Sequence, residues 1–144
     1  MLFGVRLNNE IYPAWKENYI SYERLKKLLK ESTVGQKVEY TDYEENQFVS
    51  ALDQELEKVY SFQNTKYTEL QTRIDELEKS LDAKSPAEFN WNQFKIDLDN
   101  LLSESKELDH FARLNFTGFQ KTIKKHDRLH PNYNSVRALL SMRL

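Results

Sequence analysis

The apolar positions between Phe48 and Leu81 constrain this chain more than any other feature. Phe48, Leu52, Leu56, Val59, Tyr67, Leu70, Ile74, Leu77 and Leu81 recur at spacings of three and four, with one gap near Gln63. Such spacing draws one apolar stripe along a helix. Upstream, Thr41 and Glu44 have the form of a capping box, in which a hydroxyl accepts from an orphan amide and a glutamate reaches back. The pattern predicts a helix over 42–82, roughly 60 Å long at ~1.5 Å per residue. A helix of that length is not stable alone in water, so a second long helix must cover one side of it.

The segment after residue 85 supplies that partner. Ser85-Pro86-Ala87-Glu88 reads as a second capping box with proline at the first helical position. Phe89, Phe94, Leu98, Leu101, Leu102 and Leu108 continue the three-four spacing. The break at 83–85 is short, so this helix, expected over 86–129, runs antiparallel to the first. Gly118 leaves two outcomes open, a kink or a helix that passes straight through; glycine there costs about 1 kcal/mol against alanine. Smaller pieces flank the pair. Leu2–Asn9 is expected to form two turns of helix, and Pro13 and Trp15 lie in a linker. Ser21 can cap a helix running to about Ser32, with Leu25, Leu28 and Leu29 as its apolar stripe. Residues 33–40 form a loop around Gly35, Pro131–Asn134 a turn, and Ser135 caps a last helix from Val136 to Leu144. The fold class is therefore all-α: an amino-terminal helical hairpin packed on two long antiparallel core helices, with short carboxy-terminal helices. The chain ends inside an apolar helix, as a domain of 1–144 cut from a longer protein would.

Several chemistries are excluded by composition. The 144 residues include no cysteine, so disulfides, thiolate metal sites and cysteine nucleophiles are absent. The three glycines, Gly4, Gly35 and Gly118, build no phosphate-cradling loop. There is no nucleophile elbow and no HExxH, so catalytic residues are not indicated. No apolar run is long enough to span a bilayer. His126 and His130 are four apart but lack a third ligand, which makes a weak metal signal; His126 is expected at the edge of an apolar face, and His110 stands alone.

The net charge of −2 conceals a strong asymmetry. Residues 1–30 hold six bases against three acids, residues 31–110 eight against nineteen, and residues 111–144 seven against one. The ends are basic and the middle is acidic. On a helix, Lys121, Lys124, Lys125 and Arg128 fall within an arc of about 100°, opposite Phe116, Phe119 and Ile123. Four bases without an acid on their face destabilise a helix through i,i+3 and i,i+4 repulsion. An anion from elsewhere would relieve it, although a solvated charged face has the same appearance. Tyr22, Lys26 and Lys30 are spaced i, i+4, i+8, and a phenol and an ammonium one turn apart can donate to one phosphate. If the two basic helices pack side by side, the ligand they favour carries several phosphates. Against that, Tyr22 could be a boundary aromatic and Lys26 could snorkel. Nucleic acid is disfavoured by the acidic middle and by a pI of about 6.0. A coiled-coil-like protein–protein adaptor without a small ligand is the rival reading, since two long helices alone account for the heptad-like pattern.

The motifs themselves resemble a known family. The opening MLFG, YISYERLKKLLK at 19–30, ELEKVYSF at 55–62 and LNFTGFQKTIKKHDR at 114–128 together look like an SPX domain, in order and over the whole chain. The likeness is to the amino-terminal SPX domains of fungal vacuolar transporter chaperone (VTC) subunits, and through MLFG and NYNSVRALLSMRL to an accessory rather than a catalytic subunit. The resemblance implies a non-enzymatic sensor of phosphate status that binds inositol hexakisphosphate or an inositol pyrophosphate. It also implies a place beside other subunits of a polyphosphate-synthesising complex, at the cytoplasmic face of the vacuolar membrane, without membrane insertion by this domain. Tyr22, Lys26 and Lys125 resemble the family's phosphate-binding cluster, and Lys121, Lys124 and Arg128 its adjacent lysine surface; Lys30 joins them on spacing. Two positions depart from the pattern: Leu2 stands where many SPX domains carry lysine, and Arg128 where lysine is usual, presenting a planar fork.

Overall fold

The computed structural model describes residues 2–32, 35, 38–83, 85 and 87–143. Its elements are helix α1 (Phe3–Glu10), a 3-10 helix (Pro13–Asn18), α2 (Tyr22–Leu28), α3 (Asp42–Ala83), α4 (Trp91–Leu129) and α5 (Arg137–Ser141). There is no strand among the described residues. Helix α3 matches the expected span to within a residue. The Glu44 carboxylate reaches back to the Thr41 N–H at 2.8 Å. The Thr41 hydroxyl also donates to that carboxylate rather than accepting from an amide. The long pair is tied across by Arg73 and Glu104, 2.5 Å apart.

Helix α4 starts later than expected. Ser85 and Glu88 close a turn, and the helix begins at Trp91, where the Asn90 side chain accepts from the Gln93 N–H at 3.0 Å. Asn90 is thus the cap that propensity assigned to Ser85; Pro86 lies outside the described residues. Helix α2 is also shorter than expected. It tightens into 3-10-type bonds at Leu29 and Lys30, and Lys30 takes a left-handed φ of 54°, which ends the helix because a side chain there opposes right-handed continuation. Of the 33–40 loop, Thr33, Val34, Gln36 and Lys37 lie outside the described residues. Helix α5 covers only the middle of the expected 136–144 span, and Ser135 accepts from the Arg137 N–H at 3.2 Å.

Gly118 does not kink α4. It sits fully inside that helix, and a Cβ on it would lie 3.1 Å from Ile20 Cγ2 and 3.1 Å from Phe3 Cε1. Its missing side chain lets the amino-terminal hairpin lie directly on α4. Around this contact Leu25, Leu29, Phe48, Leu52, Leu56, Phe111, Leu114 and Phe119 are completely buried, each worth roughly 1.5–3 kcal/mol of transfer free energy. Trp15, placed by the 3-10 helix, meets Tyr12, Phe62 and Phe111 edge-on. The linker is therefore a core element, not a spacer.

Among the described residues, no further helix packs on the other end of the α3–α4 pair. Tyr67, Ile74, Leu98 and Leu102 belong to the apolar stripes yet remain exposed. Periodicity marked the stripe but could not tell which half of it the hairpin would cover.

Candidate functional site

Helix α2 is held at both ends by groups from the long helices. At its start, the Ile20 N–H donates to Asn115 Oδ1 at 2.7 Å, and Asn115 Nδ2 donates to the Phe111 carbonyl at 2.8 Å. The next amide, Ser21 N–H, donates to Glu55 Oε1 at 2.6 Å, and Lys58 donates to the same carboxylate at 2.8 Å. Burial raises the Glu55 pKa, but the Lys58 ammonium and the Ser21 bonds outweigh it and hold the carboxyl below its ordinary value. These acceptors satisfy amides at a helix start that water cannot reach. At the far end, His130 Nε2 lies 2.6 Å from the Leu29 carbonyl oxygen. Thus both termini of a seven-residue helix are anchored, and its half-buried Tyr22–Lys26 face borders α4.

That face and the α4 stripe line one open basin of about 480 Å³. Its walls are Leu2, Phe3, Tyr22, Lys26, Lys121, Lys124, Lys125 and Arg128. Six of the seven residues singled out from sequence are therefore brought together. Lys30 is not among the lining residues, because α2 ends before it and its backbone turns away. Phe3 packs edge-on against Tyr22 with ring centroids 4.8 Å apart, and the Lys26 ammonium lies 5.9 Å from the Tyr22 ring centroid. Burial, then Glu23, raises the Tyr22 pKa, so the phenol remains a donor at neutral pH. Lys121, Lys124 and Arg128 are exposed. Among the described residues, Lys26, Lys121, Lys124 and Arg128 have no acidic partner within ion-pairing distance. Lys125 differs: its side chain is only 14% exposed, and its ammonium contacts Glu31 Oε2 at 2.6 Å. The Lys125 ammonium, and more weakly Arg128 and Lys26, hold the Glu31 carboxyl below its ordinary value. Five cations and one phenol around one concavity form a site for a dense anion.

His126 is not at the edge of the apolar face but wholly buried, stacked on Phe48. Its ring nitrogens meet Glu45 Oε1 at 2.6 Å and Asp127 Oδ1 at 2.8 Å. Asp127 in turn accepts from the Ser135 hydroxyl at 2.6 Å, which joins the end of α4 to the approach to α5. His130 faces a backbone carbonyl instead, so the two histidines do not share a metal, and no metal-ligating cluster occurs among the described residues. His110 lies 3.5 Å from Glu10 at the surface. A second concavity of about 420 Å³, between the middle of α3 and α4, has Asp109 as its one charged lining residue and presents no cation to an anion.

The SPX domain family model matches residues 31–107 of this chain. The chain belongs to the SPX domain family. It is 52% identical, over its full length, to vacuolar transporter chaperone complex subunit 2 of Saccharomyces cerevisiae, of which it covers 18%. It is 36% identical over 89% of its length to vacuolar transporter chaperone complex subunit 4 of Schizosaccharomyces pombe, of which it covers 19%. The SPX domain of Chaetomium thermophilum glycerophosphodiester phosphodiesterase 1, solved in complex with inositol hexakisphosphate, superposes with a TM-score of 0.78 and 30% identity, covering 100% of this chain and 85% of that one. The chain thus spans about a fifth of the length of its chaperone-subunit relatives, and its all-α fold is that of the solved SPX domain. No described helix of this SPX domain is long and apolar enough to cross a membrane.

The features that reasoning from sequence missed are Asn115, Glu55, Glu31 and the close approach of the hairpin that Gly118 allows. Asn115 had a usable signal: an asparagine on the same helical face as Phe111 and Phe119 is a polar group that must find a partner once buried. Glu31 had none, since only the way α2 docks brings it to Lys125.

Proposed function

We propose that this SPX domain is a non-catalytic sensor that binds an inositol hexakisphosphate or inositol pyrophosphate in the basin between α2 and α4. One observation carries the proposal: Tyr22 and Lys26, on a helix anchored at both ends, face Lys121, Lys124, Lys125 and Arg128 across a single concavity. The mechanism is electrostatic. The Tyr22 hydroxyl and Lys26 ammonium orient one phosphate by directed donation, while the α4 cations neutralise the others. Repulsion along the α4 stripe, relieved in the free domain at Lys125 by Glu31, falls further when the anion is bound. Leu2 and Phe3 also wall the basin, so ligand contact extends to the start of α1 and fixes the hairpin on α4. The inositol hexakisphosphate complex of the 30% identical SPX domain supports the ligand class. The relatives named as vacuolar transporter chaperone complex subunits support a regulatory role beside other subunits of that complex at the vacuole; the cytoplasmic face of the vacuolar membrane is the placement proposed with it. Arg128 gives the site a planar donor fork, which suits bidentate contact with phosphate.

Calorimetric titration tests this reading. Inositol hexakisphosphate should bind far more tightly than inorganic phosphate, and the affinity should fall as salt is raised. Lys26→Ala and Lys125→Ala should each weaken hexakisphosphate binding roughly tenfold or more, as for a lost charge-assisted contact. Lys79→Ala, on the acidic helix α3, and Lys30→Ala, outside the basin, should change it less than about threefold, the scale of a surface charge. Equal losses at all four positions, or no preference for hexakisphosphate over phosphate, would sink the proposal.

A further inference from the structure

Glu31 is not a wall of the basin, but its carboxylate engages one of the basin's cations. Glu31 follows α2 at the point where Lys30 turns the backbone left-handed. Its carboxylate lies 2.6 Å from the ammonium of Lys125, the one basin cation with an ion pair among the described residues. Arg128 and Lys26 are close enough to act on it as well. A carboxylate and a phosphate oxygen make the same demand on an ammonium, a charge-assisted acceptor at short range. Lys125 cannot give its full charge to both. Glu31 itself is half-exposed, with a side-chain exposure of 49%, so it can swing into solvent without leaving a buried charge unpaired.

We propose that Glu31 is a built-in competitor of the ligand: its carboxylate occupies Lys125 in the free domain and must be displaced before an anionic phosphate can use that lysine. This rests on the binding reading above and deepens it. The consequence is a threshold. Displacing Glu31 costs every anion that uses Lys125 the same factor in affinity. A weakly held anion such as inorganic phosphate is pushed further out of range, whereas a ligand bearing many phosphates recovers the cost through its other contacts on Lys26, Lys121, Lys124 and Arg128. The same displacement frees the Glu31 side chain from α4, so occupancy of the basin is also reported as release of Glu31.

Removal of the competitor is the test. Glu31→Gln keeps the shape and removes the charge. Titrated by calorimetry, it should bind inositol hexakisphosphate roughly two- to fivefold more tightly than the unsubstituted domain, the scale of one partly exposed ion pair. Inorganic phosphate should gain by a similar factor. Glu78→Gln, which removes an equal charge from the exposed far part of α3, should leave affinity unchanged. In a Lys125→Ala background, most of the gain from Glu31→Gln should disappear, since the pair couples directly. Three results would overturn the inference: unchanged or weaker binding by Glu31→Gln, an equal gain from Glu78→Gln, or a full gain in the Lys125→Ala background. Loss of hexakisphosphate binding by the unsubstituted domain would instead defeat the functional reading itself, so the two failures are told apart.

Discussion

Asn115→Ala is the sharpest perturbation of the link between fold and site. Asn115 is fully buried on α4 and makes two hydrogen bonds. They are not equivalent. The Phe111 carbonyl that receives its Nδ2 sits within α4, where the helical i→i−4 bond already engages it, so losing the side-chain donor costs little. The Ile20 N–H has no such alternative. It lies just before α2, its residue is 3% exposed, and Asn115 Oδ1 is its acceptor. Truncation therefore orphans a buried amide, at about 1–3 kcal/mol. Thr122→Val is the matched comparison. Thr122 is also buried on α4, but its hydroxyl donates at 2.8 Å to the Gly118 carbonyl within the helix. Its loss strands no amide and should cost under about 1 kcal/mol. Urea unfolding gives both numbers through the shift in midpoint at constant m-value. Hydrogen exchange at the Ile20 amide gives a local check: it should accelerate in Asn115→Ala and not in Thr122→Val. The reasoning is refuted if Asn115→Ala is no more destabilising than Thr122→Val, or if Ile20 exchange is the same in both.

Two further outcomes follow from the same contacts. Gly118→Val should destabilise the domain by about 1–3 kcal/mol in urea unfolding, because its Cβ would meet the packed Ile20 and Phe3 side chains, and that overpacking exceeds the helix-propensity gain; a stabilised variant would show that the hairpin does not rest on this residue. The Glu55 carboxyl has a folded pKa held below its ordinary 4.5, so its contribution to stability is present above that value and is lost as pH falls through the lower folded one. Glu55→Gln should accordingly flatten the acid limb of the stability–pH curve, measured as urea midpoints between neutral and acid pH, and an unchanged acid limb would contradict the assignment.

The long helices and the cationic stripe were legible because each is a property of neighbouring residues. Apolar spacing of three and four gives α3 and α4, and the same arithmetic puts Lys121, Lys124, Lys125 and Arg128 on one side of α4. Local capping signals were less dependable. Asn90 rather than Ser85 caps α4, and Lys30 ends α2 without a glycine, because competing caps differ by only about 1 kcal/mol and tertiary packing chooses between them.

By itself, then, the sequence determined that this SPX domain is helical, that two helices are long and antiparallel, and that Lys121, Lys124, Lys125 and Arg128 share one face of α4. Whether that face belongs to a site was decided by docking. The bonds that set α2 in place join residues 95, 34 and 101 positions apart, Ile20 to Asn115, Ser21 to Glu55 and Leu29 to His130. No periodicity reports such pairs, since they depend on how rigid elements meet. The same docking carries Tyr22 and Lys26 to the α4 cations, leaves Lys30 outside, and brings Glu31 to Lys125.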